Sequence, residues 1–151
     1  MPRTYTPEET AENLRYYVNR MDECITDFCD KYNIDDLRKE PQSIYNACLK
    51  YIYNHVFKPT KDNKPIDTRY RSVIDYDDID LLYGLLDYYL YITDLYDKIV
   101  CKTSFSDLIG IDVSVFYDWS NGYTRSNNPK YADLFKILSS RREKTLGDRL
   151  V

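Results

Sequence analysis

The sequence predicts an all-α protein: a helical bundle of two or three long helices, then a C-terminal helix-turn-helix and a final basic helix. Three observations predict it. Apolar residues recur at alternating spacings of three and four along three long stretches. Only four glycines and six prolines interrupt 151 residues, of which 43% are hydrophobic. Helix-starting residues stand where the stripes begin. The length suits one domain. Within it, residues 1–58 form an N-terminal helical hairpin, 59–74 a loop, and 75–151 a long helix with the helix-turn-helix and a basic tail.

Thr6-Pro7-Glu8-Glu9 is a capping box with proline at the first helical position. From there Leu14, Val18, Met21, Ile25, Phe28 and Tyr32 form one stripe. It gives a helix of about 26 residues, about 40 Å long, which either spans a small domain or reaches another subunit. Asn33 to Glu40 is a polar link. Pro41-Gln42-Ser43 opens a second helix through Ile44, Cys48, Ile52 and Val56, ending by Lys58-Pro59. His55, the only histidine, lies near that end, where an imidazolium suits the helix dipole. No carboxylate stands at ligand spacing from it, so its role is structural.

Thr60 to Val73, with Lys61, Lys64, Arg69 and Arg71 among Asn63 and Pro65, suits a mobile loop or an edge hairpin, either simply solvated or a second phosphate-contacting arm. Tyr76-Asp77-Asp78-Ile79-Asp80 starts the third helix, and its carboxylates gather at the positive end of the dipole as caps rather than as a metal site. The stripe continues through Leu82, Leu86, Tyr89, Thr93, Tyr96 and Val100, widened by Leu85, Leu90 and Leu95. This helix should pack on the first as the central pair.

Ser104 to Trp119 carries the pattern of a helix-turn-helix. Phe105 and Ile109 share a face, Gly110 supplies a left-handed turn, Ile111 plugs the corner, and Asp112 caps a second helix. Phe116 and Trp119 then face the first helix, Trp119 against Phe105, while small Ser106 lets the axes approach. Val113, Ser114, Tyr117 and Asp118 are left on the outer face, where a recognition helix meets base edges. The same pattern also fits an ordinary αα-corner. Asn121-Gly122 ends this helix, and a polar loop with Arg125 follows. Asn128-Pro129 starts the last helix, with Ala132, Phe135 and Leu138 or Ser139 inward, then Arg141, Arg142, Lys144 and Arg149.

Net charge is −4, unevenly spread. Residues 1–72 carry 12 basic and 12 acidic side chains, residues 73–122 carry 2 against 10, and residues 123–151 carry 7 against 3. An acidic body with a basic end approaches nucleic acid in one orientation, or pairs with a copy of itself. Cys24, Cys29, Cys48 and Cys101 lack metal-ligand spacing and read as free thiols of a reducing cytosol. No stretch approaches 18 apolar residues and no leader pattern opens the chain, so the expected place is the cytoplasm of the host cell. A catalytic triad, a phosphate-binding glycine loop, zinc-ligand spacing and dinucleotide fingerprints are all missing from the sequence, so neither an enzyme nor a cofactor is expected.

The run Phe105 to Gly122, preceded by an acidic tyrosine-rich helix and followed by Arg141-Arg142-Glu143-Lys144, resembles small helix-turn-helix proteins of phages and prophages of gut Firmicutes, some similar to terminase small subunits. The resemblance covers roughly Asp75 to Val151. It implies contact with double-stranded DNA through Ser114, Tyr117 and Asn121. Its further implications are a role in viral genome packaging, a homo-oligomer and a large terminase subunit as partner. Chains of this kind continue further, so the helical sequence at Leu150-Val151 suggests a truncation or a shorter relative. One departure is that Asp107, Asp112 and Asp118 make the motif acidic. Phosphate attraction then falls to Arg125, Lys130, Arg141, Arg142 and Lys144. Two other readings stand beside this one: a non-enzymatic assembly adaptor that uses the motif on protein, and a dimeric phage transcriptional regulator.

Overall fold

The computed structural model describes residues 3–65 and 71–149, with side chains through residue 147. Arg69, the side chain of Arg149, and Leu150-Val151 lie outside the described residues. Every regular element described is helical. The helices are α1 (Pro7–Lys31), α2 (Gln42–Ile52), α3 (Ile79–Leu95), α4 (Lys102–Ile109), α5 (Val113–Ser120) and α6 (Pro129–Arg149). None is long and apolar enough to cross a membrane, among the described residues.

α1 begins as its capping box requires, with the Glu9 amide donating to the Thr6 hydroxyl at 3.1 Å and the Thr6 amide to the Glu9 carboxylate at 3.0 Å. Its inward stripe is Met21, Cys24, Ile25 and Phe28, with Leu14 and Val18 half-buried. Tyr32, expected inside, is 54% exposed, because α1 ends at Lys31 and Tyr32 becomes its C-cap. α1 packs against both α2 and α3. Gly84 of α3 makes room for this, since a Cβ there would strike the end of Leu14.

The link before α2 is less polar in structure than in sequence. It holds a 3₁₀ turn, Leu37–Lys39, whose Leu37 is buried. Its last carbonyls, of Arg38 and Glu40, accept from the buried Lys98 ammonium at 3.1 and 2.6 Å. α2 continues into a π-helical turn, Tyr53–Phe57. There the His55 ring stacks on Tyr51, with centroids 4.1 Å apart.

α3 is shorter than its apolar pattern predicts. It stops at Leu95, where Asp97 takes a left-handed conformation (φ 56°) and the Lys98 amide closes back on the Thr93 carbonyl at 2.9 Å. Val100 is buried, but in the connector, and Leu95 is 46% exposed. α4 accordingly starts two residues before Ser104.

The acidic run before α3 also differs from its expected role, since only Asp78 caps the helix, accepting from the Leu81 amide at 3.2 Å. Asp75 takes the Arg3 guanidinium at 2.6 and 2.8 Å and the Tyr5 hydroxyl. Asp77 lies between Arg3 at 3.3 Å and Arg125 at 2.6 Å. Burial pushes the Asp75 carboxyl up, but Arg3, Tyr5 and the Asp77 amide outweigh it and hold the carboxyl down at about 2. A depressed carboxylate stabilises the fold above its ordinary value and loses that contribution as pH falls toward the folded value. Arg3→Ala should therefore be less stable than wild type at neutral pH, and the gap should close between pH 3.8 and about 2. Urea midpoints measured across that range are the check; a gap independent of pH would show that Arg3 does not hold Asp75 down.

Candidate nucleic-acid interface

α4 and α5 are eight residues each, too short to stand alone in water, so their placement is a matter of packing. The start of α4 is tied to α3: the Cys101 amide donates to the Tyr89 hydroxyl at 2.9 Å, and that hydroxyl donates to the Cys101 carbonyl at 3.2 Å. Cys101 Sγ then accepts from the Ser104 amide at 3.3 Å as the N-cap. α4 ends at Gly110, which is left-handed (φ 79°) with its amide bonded to the Ser106 carbonyl at 2.9 Å. The Ser106 hydroxyl donates to the Ile111 carbonyl, so the small residue at the corner also closes the turn. Ile111 is fully buried. Asp112 caps α5, accepting from the Ser114 amide at 3.0 Å; that bond, with Arg71 at 3.6 Å, holds its carboxyl below the usual range.

Behind α5 the packing is aromatic. Phe116 stacks on Phe105 at 5.8 Å, and Phe105 meets Tyr89 at 5.3 Å. Trp119 is buried as expected, at 2% exposure. Its ring neighbours, however, are Phe116 at 5.6 Å, Tyr131 at 4.9 Å and Tyr76 at 6.1 Å rather than Phe105. The reason is α6, which lies along α5 and inserts Tyr131. On α6 the inward face is Tyr131, Leu134 and Leu138; Ala132, Phe135 and Ser139 are half-buried at its edge.

The front of α5 exposes Ser114, Tyr117 and Asn121, the three residues expected there, while Val113 and Asp118 are half-buried. Tyr117, 45% exposed, leans on Phe135 with centroids 5.0 Å apart. The Lys102 ammonium lies 5.6 Å from the Tyr117 ring and 4.5 Å from that of Phe135. Lys102 is thus a cation beside the exposed face of α5 that no spacing in the sequence marks. Arg71, on the other side, approaches the α5 N-cap. Between Arg71, Asp112, Asp118 and Trp119 opens a cleft of about 440 Å³. A larger cleft, about 640 Å³, lies between α1 and α2 and shares no residue with it.

The cations expected to meet phosphate are not alike. Arg125 is bound to Asp77 and lies over the Tyr131 ring at 5.1 Å, so it is a structural tie between the α5–α6 loop and the start of α3. Lys130 pairs with Asp80 at 3.2 Å and Arg141 with Asp94 at 2.7 Å. Arg142 and Lys144 are exposed and pair with no carboxylate among the described residues. These pairings leave no local trace in the sequence because each partner lies 47 to 50 residues away.

No family model, no curated protein and no solved structure matches the chain.

Proposed function

We propose that the chain binds duplex DNA through α4 and α5 acting as a helix-turn-helix, with α5 as the recognition helix. The observation that carries this reading is the division of α5: Phe116 and Trp119 are locked behind it, while Ser114, Tyr117 and Asn121 stand exposed together on the front. Lys102 beside that face, and Arg142 and Lys144 on α6, supply cations for phosphate. The resemblance of Phe105 to Gly122 to terminase small-subunit-like phage proteins extends the proposal to a DNA-recognition component of genome packaging, assembled from several copies and presenting DNA to a large terminase subunit.

An electrophoretic shift series on phage and random duplexes at two salt concentrations tests the proposal. Changing Arg142 and Lys144 together to Glu should weaken binding to every sequence alike and lower the slope of log affinity against log salt by about 0.9 for each phosphate no longer neutralised. Tyr117→Ala should instead relax sequence preference, by about 1–3 kcal/mol at one position. A wild-type protein that shifts no duplex even at low salt would refute the DNA reading. The adaptor reading would then take its place, and one observation already favours it: Asp107, Asp112 and Asp118 make the motif acidic, while Arg125, Lys130 and Arg141 are engaged within the chain.

A further inference from the structure

α6 runs parallel to α3 and meets it at matched positions. The Tyr83 hydroxyl donates to the Lys130 carbonyl at 2.8 Å, and eleven residues later on both helices Asp94 accepts from Arg141 at 2.7 Å. Eleven residues rise by about 16 Å on either helix, so the two contacts share one offset between parallel helices. At its two ends α3 presents a carboxylate to an α6 cation, Asp80 to Lys130 and Asp94 to Arg141.

Neither pair is built like a structural ion pair. Lys130 and Asp80 are 57% and 68% exposed. Arg141 is 32% exposed and Asp94 54%; among the described residues the guanidinium meets that carboxylate through one nitrogen, and its buried Nε has no hydrogen-bond partner. A guanidinium has five donors in a fork suited to two parallel bonds, and here it makes one. Arg125 with Asp77 differs in its carboxylate, 10% exposed against 68% for Asp80 and 54% for Asp94, and in the Tyr131 ring that backs the guanidinium.

We infer that Asp80 and Asp94 stand in for DNA phosphates on Lys130 and Arg141, so that α3 masks part of the phosphate-binding surface of α6 until a duplex displaces it. The inference rests on the DNA reading proposed above and deepens it by naming what limits the affinity. A phosphate oxygen competes directly with each carboxylate oxygen for the same N–H group. Lys130–Asp80 is exposed on both sides and Asp94 is 54% exposed, and single-bond pairs open to solvent add little to stability, so exchange is inexpensive, yet each retained pair removes one cation from the contacts that release counterions.

The test compares wild type with the full chain carrying Asp80→Asn and Asp94→Asn, by fluorescence anisotropy on a random-sequence duplex across a salt series. Both sites are exposed, and an unchanged circular dichroism spectrum and Tm will verify the fold. A control carries Asp27→Asn and Asp30→Asn, two exposed carboxylates of α1 that hold no cation among the described residues and remove the same charge. Unmasking should tighten binding about tenfold at low salt. It should also steepen the salt slope by up to about 1.8, for two released cations. The control should gain much less. Equal gains in both variants, or none in the first while wild type binds, would overturn the masking and leave the DNA reading standing. If neither wild type nor the unmasked variant binds at low salt, the DNA reading fails and the masking with it.

Discussion

Replacing Phe116 with alanine should lower stability by about 3–5 kcal/mol, as a fully buried aromatic truncation. The ring stacks on Phe105 across the α4–α5 corner and meets Trp119 edge-on at 5.6 Å. Its loss opens a cavity between the two short helices, where each is packed on the other. Because α5 has eight residues, it cannot keep its shape without that support. Urea denaturation gives the magnitude, and a red shift of the Trp119 emission in the native state should accompany it. Tyr117→Ala, on the exposed front of the same helix, should cost much less. A Phe116→Ala protein within about 1 kcal/mol of wild type would mean that α5 is not anchored from behind.

Gly110→Ala should be the most damaging glycine replacement, at about 2–4 kcal/mol. Its φ of 79° is left-handed, where a Cβ alone costs about 1–2 kcal/mol. The added carbon would also strike the Tyr53 ring and come within 3.0 Å of the Arg71 carbonyl oxygen. Tyr53 cannot step aside without breaking its own hydrogen bond to that carbonyl, at 2.6 Å. Gly84→Ala is the comparison: it stands in a helix, where alanine is favoured by about 1 kcal/mol, and meets only the movable end of Leu14. Thermal unfolding of the two variants side by side decides the matter. If Gly110→Ala unfolds no earlier than Gly84→Ala, the turn is not set by the glycine.

Local chemistry is legible in the sequence and distant partners are not. The capping box at Thr6, the left-handed Gly110, the buried Ile111 and the Asp112 cap all follow from residues within a few positions of one another, and the structure has each of them. The end of α3 escapes the sequence because nothing in the apolar spacing marks it. Val100 fits the stripe, and the stop is made by Asp97, a residue that accepts a left-handed conformation without advertising it as glycine would. The inward face of α6 has Leu138, one of the two residues expected at its end, but begins one position earlier than the apolar pattern suggests. Ala132 and Phe135 follow Tyr131 and Leu134 by one residue each, a rotation of about 100°. Phe135 is apolar because it supports Tyr117 at the edge of that face. The cations are the hardest to judge. A lysine or arginine in a basic tail looks free until the fold brings Asp77, Asp80 and Asp94 against Arg125, Lys130 and Arg141.

The rings running from Tyr89 through Phe105, Phe116 and Trp119 to Tyr131 join α3, α4, α5 and α6, with successive centroids 4.9 to 5.8 Å apart. Such a column leaves α5 no independent swing, since tilting it would unstack a neighbour on either side. Whatever surface α5 meets, it meets as a gauge of fixed shape. The ordering entropy of its rear side chains has been spent in folding, so in the proposed contact α5 itself would have Ser114, Tyr117 and Asn121 left to immobilise. A partner that fits is therefore held at low entropic cost, and one that needs α5 to bend is refused.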